Sequence, residues 1–188
     1  MKIENFEEKY RERVRFVCLS TGPDDALTNS RIGAYIENTY CNYYIDNEPE
    51  NCFVLTDDDD NAVGYILCAK DYKAYSRCFG KYFGIIRKNA GINLIEVIAE
   101  QLVLKLFSRK YPAHLHIDIL DGYTGQGSGS LLMNRLITCL RSEGVPAVML
   151  IVGSGNTQAI RFYKRNGFTV LVHAFGATVM GLKLQESR

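Results

Sequence analysis

Glycines at 125, 127 and 129 stand in the stretch HIDILDGYTGQGSGSLLMNRL (116–136), between an apolar run with strand character and a run with helical spacing. A strand that ends in such a turn and feeds a helix aims several unpaired N–H groups, and the positive end of the helix dipole, at one point. A phosphate group is the natural occupant. Two familiar phosphate sites do not fit. A Walker loop requires Lys and then Ser or Thr after its last glycine, but Gly129 is followed by Ser130 and Leu131. A dinucleotide fingerprint requires GxGxxG and an acidic residue about twenty positions further on. This loop reads GxGxG, and the next strand ends in IVGSGN. Just upstream, His114, His116 and Asp118 share one face of a single strand, an array that suggests a metal site. At about 3.3 Å per residue, positions 114 and 118 lie about 13 Å apart, too far to share an ion, so partly buried strand residues are the plainer reading.

The elements that must position these groups follow from periodicity. Phe6–Leu19 reads as an amphipathic helix, and Asn29–Tyr44 as a second one unusually rich in tyrosine. Tyr35, Tyr40, Tyr43 and Tyr44 on it either line a binding pocket or belong to the core. CFVLT and AVGYILCA are strands joined by DDDDN, which has the composition of an exposed hairpin turn. Residues 71–112 predict two helices, with Tyr72, Tyr75, Phe79, Tyr82 and Phe83 at three- and four-residue steps. This aromatic surface is expected either to wall a substrate site or to form a homodimer contact. His114–Leu120 and Ala147–Val152 are strands flanking a helix over Gly127–Glu143; the second is apolar on both faces, as in the parallel part of a covered sheet. A helix over Asn156–Arg165 and strands at Phe168–Val172 and Thr178–Leu184 complete a single mixed α/β domain over 1–188, with a helical insertion at about 71–112.

Composition narrows the function. With 188 residues, 47% hydrophobic, 23% charged and a formal charge of +1, the chain has an ordinary globular balance and no general pull toward nucleic acid or anionic membrane. The N-terminal MKIENFEEKYRER has no apolar signal core, and the longest apolar run is too short to span a bilayer, so a cytoplasmic location is expected. Six dispersed cysteines form neither a CxxC nor a zinc spacing and read as free thiols.

Thr124–Gly129 followed by SLLMNRL resembles the pyrophosphate loop of the GNAT superfamily of acyl-CoA-dependent N-acyltransferases, with the pattern Gln/Arg-x-x-Gly-x-Gly/Ala. Gly127 and Gly129 match its glycines, and Thr124 departs from its Gln or Arg. A second block, NTQAIRFYKRNGF (156–168), is similar to the family's Asn-x-x-Ala-x-x-x-Tyr-x-x-x-Gly-Phe, with Asn156, Ala159, Tyr163, Gly167 and Phe168 in register. Within the superfamily, PAHLHIDIL resembles a bacterial subgroup related to the acetyltransferase-like domain of some O-GlcNAc hydrolases.

The resemblance implies a mixed, mostly antiparallel central sheet with a splayed parallel strand pair and helices on both faces. It implies acetyl-CoA as co-substrate, no metal, and transfer of the acetyl group to a primary amine by direct attack in a ternary complex. Backbone groups near Ile119 and Leu120 would pair with the pantetheine arm, and N–H groups over Gly125, Gln126, Gly127, Ser128, Gly129 and Ser130 would hold the pyrophosphate. Asn156, Ala159, Phe162 and Tyr163 would complete the cofactor side, Asn156 also serving as a helix cap. Tyr163 matches the family's thiolate-protonating tyrosine, and Asp118 with His116 is the expected base, acting directly or through water. A catalytically silent acyl-CoA sensor, or an interaction module on the same fold, is the alternative.

Overall fold

The structure, a computed structural model, describes residues 1–125, 127–174 and 176–185. Its chain order is β1 (Lys2–Asn5), α1 (Arg11–Ser20), α2 (Ser30–Tyr40), α3 (Asn42–Asn47), β2 (Phe53–Thr56) and β3 (Ala62–Ala69). There follow α4 (Tyr72–Cys78), α5 (Gly80–Asn89), α6 (Leu94–Phe107) and β4 (Ala113–Ile119). Then come α7 (Ser128–Ser142), β5 (Ala147–Gly153), α8 (Thr157–Arg165), β6 (Thr169–Ala174) and β7 (Ala177–Lys183).

The strands form one seven-stranded sheet in the order β1-β2-β3-β4-β5-β7-β6. Every neighbouring pair is antiparallel except β4–β5. That parallel pair keeps register only at Ala113–Val148 and His114–Met149, after which the two strands part. β3 is buried along its whole length, as a strand covered on both faces must be. On one face Tyr65, Leu67, Met149 and Val179 pack beneath the helices α1 to α6. On the other, Ile66, Cys68, Val148 and Leu150 pack against α7, whose Leu132, Leu136 and Leu140 are fully buried. Four-residue spacing stacks these leucines on one stripe, and burial of each contributes about 1.5–3 kcal/mol.

The structure departs from periodicity in four places. β1 is a strand where none is expected: KIEN holds a single large aliphatic residue, and its extension comes from pairing with β2 at Lys2–Thr56 through Asn5–Phe53. The helix expected from Phe6 becomes continuous only at Arg11. The expected 29–44 helix breaks at Cys41 (φ −131°, ψ −63°), a turn that redirects the following run so that Tyr43, Tyr44 and Ile45 are buried. Residues 71–112 hold three helices rather than two, because the first run breaks at Phe79 into α4 and α5. Of their aromatic side chains Tyr75, Phe79 and Tyr82 are buried: Tyr75 lies edge-on to Tyr43 at 4.5 Å and stacks on Phe79 at 4.6 Å, and it also lines a small cavity of about 50 Å³ beside Tyr44, Glu100 and His116.

Candidate functional site

Where β4 and β5 part, a groove of about 510 Å³ opens between the end of β4, the glycine turn and α8. The N–H of Leu120 donates to the Val63 carbonyl at 2.9 Å. In an antiparallel ladder the main-chain groups alternate in direction, so those of Ile117 and Ile119 face away from β3, toward the gap. Leu120 therefore differs from expectation: its N–H is already paired with β3, and it does not line the groove. The gap-facing backbone belongs to Ile117 and Ile119.

The glycine turn ends in Gly127, the residue before α7, at φ +82°, with Gly125 at φ +81°. Both sit in the left-handed region that side chains with a Cβ rarely adopt, and a Cβ at either would meet no atom within 4 Å. The turn therefore needs glycine for its backbone conformation. Gly129 is needed for space: its Cβ would fall 3.1 and 3.2 Å from the Phe162 ring. Among the described residues no side chain caps α7, and its first-turn N–H groups end at the groove without an intrahelical partner. Gly125, Gly127, Gly129 and Ser130 line the groove, whereas Ser128 is buried at 3% exposure and does not. Gln126 lies outside the described residues.

From α8, Asn156, Ala159, Phe162 and Tyr163 form the opposite wall. Asn156 caps its helix, its Oδ1 accepting from the Ala159 N–H at 3.0 Å. Tyr163 is buried at 9% exposure; burial, and then the charge of Asp118, push its hydroxyl above the usual tyrosine range. Arg165 and Gln158 also line the groove and were not expected. Their signal was the seven-residue spacing that puts both on the helix face carrying Phe162.

A second cavity of about 380 Å³ lies on the helical side of the sheet, walled by α2, α6 and the end of β4. Tyr35, Tyr40, Glu96, His116 and Asp118 line it, while Tyr43 and Tyr44 are core. Asp118 lines both this cavity and the groove. The sheet register sets Tyr65 of β3 opposite Asp118, and the Tyr65 hydroxyl donates to Asp118 Oδ2 at 2.8 Å. The same hydroxyl lies 3.2 Å from His116 Nδ1, which is itself 3.4 Å from Asp118 Oδ2. A hydroxyl has one proton to give, so with that proton on Asp118 its oxygen accepts from His116 Nδ1–H. That leaves His116 Nε2 as the basic nitrogen. Tyr40 stacks on the His116 ring at 4.9 Å and donates from its hydroxyl to Glu100 at 3.3 Å. Burial and the neighbouring Glu96 raise the Glu100 carboxyl to about 7.

His114 points to a different environment. It is packed edge-on to Tyr75 at 4.5 Å, its Nε2 has no hydrogen-bond partner among the described residues, and burial lowers its pKa to about 3. It is a neutral core residue. Among the described residues, no group of three or more His, Cys, Asp or Glu side chains converges as a metal site, and no helix is long and apolar enough to cross a membrane.

The whole architecture recurs in solved structures. The crystal structure of SsHAT is 28% identical, with a TM-score of 0.84 and 98% of each chain covered. PH1933 from Pyrococcus horikoshii OT3 is 20% identical, with a TM-score of 0.65 over 99% of each chain. PaiA N-acetyltransferase from Thermoplasma acidophilum, in complex with coenzyme A, is 16% identical, with a TM-score of 0.62 over 97% of this chain and 98% of that one. The last two likenesses are of fold alone. Residues 24–168 match the acetyltransferase (GNAT) family, a span that takes in the parted strands, the glycine turn and the helix capped by Asn156. The chain belongs to the acetyltransferase (GNAT) family.

Proposed function

We propose that this chain transfers an acetyl group from acetyl-CoA to a primary amine, with both bound at once. The observation that carries this reading is the position of Asp118, which walls both the groove and the cavity on the other side of β4. A carboxylate there can meet an amine from one side at the point where an acyl group arrives from the other.

The groove fits acetyl-CoA by its own chemistry. The uncapped first turn of α7 and the Arg165 guanidinium suit a pyrophosphate. The gap-facing backbone of Ile117 and Ile119 suits the amides of an extended arm, which would pair with it as a strand does. When bound, acetyl-CoA supplies the activated acyl thioester. The remaining tasks fall to side chains. His116 Nε2, with its tautomer held by Tyr65, accepts the ammonium proton in concert with Asp118, and the raised Tyr163 hydroxyl holds its proton until a thiolate can take it. Among the described residues the cavity lining includes Glu96 and Asp118 and no Lys or Arg, so a positively charged amine is drawn in.

The reading is tested by following free-thiol release with acetyl-CoA and a panel of primary amines, after binding has been established by a thermal shift. Turnover with at least one amine, lost in Asp118→Asn, supports it. Binding without turnover on any amine marks a sensor instead, and absence of acetyl-CoA binding overturns the cofactor assignment.

A further inference from the structure

On the helical face of the sheet, the β5 side of the gap is lined differently from the β4 side. Ile151 lies two residues beyond Met149, the last β5 residue paired with β4, and it pairs in turn with Val179 of β7. Two-residue alternation keeps Ile151, Val179 and Ala177 on the face that carries Met149. Ala99 and Val103 of α6 face them across a cavity of about 610 Å³. This cavity adjoins the one that holds His116 and Asp118, because Asn93 and Glu96 line both. Glu100 and Ile151 also line the small cavity beside His116, which lies between the two. One crevice therefore runs beneath the gap, with two carboxylates and a histidine at one end and aliphatic side chains at the other.

The lining selects among amines. A carboxylate carried beside the amino group, as in an amino acid, would meet Glu96 and Asp118 as like charges. A charge at the far end of the molecule would lose its hydration against Ile151 and Val179. A second ammonium finds little there, since Glu96 stands at the junction with the first and Glu100 is engaged by the Tyr40 hydroxyl at 3.3 Å. Given the transfer reaction proposed above, we infer that the acceptor is a primary amine with an uncharged alkyl or aryl-alkyl body. Its ammonium lies between Glu96 and Asp118, and its body lies against Ala99, Val103, Ile151 and Val179. Water released from those aliphatic walls supplies the affinity, and the carboxylates set which end enters first.

Calorimetric titration of the full chain, with and without CoA, reads binding independently of turnover. Lengthening ethylamine to n-hexylamine adds four methylenes, and at about fourfold for each one buried the affinity should rise at least about 30-fold. Aminohexanoate, of the same length but ending in a carboxylate, and hexanediamine, ending in a second ammonium, should each bind at least about 10-fold more weakly than hexylamine. Ala99→Phe fills the cavity from α6 and Ala177→Phe fills it from β7; either should cut the hexylamine-to-ethylamine ratio to roughly a few-fold. Circular dichroism and the unfolding midpoint show which variants are folded and can be compared. Hexylamine that binds no better than ethylamine overturns the proposal. So does aminohexanoate or hexanediamine binding as tightly as hexylamine, or a ratio that survives both substitutions in folded proteins. Turnover of small or charged amines with no gain from chain length upholds the transfer reaction and overturns this acceptor class. Hexylamine binding as expected, with no amine acetylated, overturns the reaction while the pocket's preference for an apolar amine stands.

Discussion

Glu100→Gln is expected to stabilise the protein, and to do so only above acid pH. Glu100 is a largely buried carboxyl whose side-chain partner among the described residues is the Tyr40 hydroxyl, with Glu96 as a like charge nearby. It titrates at about 7 in the fold against an ordinary 4.5. Below about pH 4.5 it is protonated in both folded and unfolded chains and has no differential effect. Between about 4.5 and 7 the folded protein keeps a proton that the unfolded chain releases, so stability falls as pH rises through this window and levels off above it. The full difference is on the order of 3 kcal/mol. His114 works in the opposite sense. Burial holds it neutral down to about 3 against an ordinary 6.5, so its contribution is present above 6.5 and is lost as pH falls. Because His114 is common to both proteins, the difference between variant and parent isolates Glu100. Glutamine keeps an oxygen for Tyr40 and carries no charge. Urea unfolding at pH 4.5 and pH 8 should show near-equal stability at the first and a gain of roughly 2–3 kcal/mol at the second, or about 5–10 °C in Tm. A gain of the same size at both values would refute the reasoning, as would a loss at pH 8.

Tyr163→Phe should leave acetyl-CoA affinity within a few-fold while kcat falls roughly 100-fold, and Tyr163→Ala should in addition cost about 3–5 kcal/mol of stability; steady-state kinetics and chemical unfolding separate the two effects. Gly127→Val, forced to φ +82°, should cost about 1–2 kcal/mol and abolish the thermal shift given by acetyl-CoA, both readable in one melting experiment. Tyr65→Phe removes the hydroxyl shared by Asp118 and His116, and kcat should drop roughly 10- to 100-fold with KM for acetyl-CoA unchanged.

Much of the groove is written in local sequence, because its recognition elements are backbone conformations that need particular residues at particular steps. Gly127 must be left-handed, Gly129 must make room for Phe162, and Asn156 must cap α8; each is a short-range requirement visible in spacing. The other side of β4 is written in register. Tyr65 sits in an uninterrupted apolar run and looks like any buried aromatic residue, and only its pairing across the sheet with Asp118 gives its hydroxyl a task. Glu96 and Glu100 likewise read as the polar side of an amphipathic helix until α6 is laid beside the cavity. β1 was hidden for a related reason: a four-residue edge strand with Ile3 alone turned to the core shows no alternation, and its partner Phe53–Thr56 defines it.

The parting of β4 and β5 also bears on how the molecule yields. The sheet is two smaller sheets, β1-β2-β3-β4 and β5-β7-β6, stitched by only two register pairs. Such a seam has the fewest register pairs of any junction in the sheet. An extended ligand lying in the seam, paired to the free edge of β4, would act as a removable eighth strand. Its arrival would slow amide exchange on both sides of the gap, and its departure would return to the fold a freedom that its closed ladders lack.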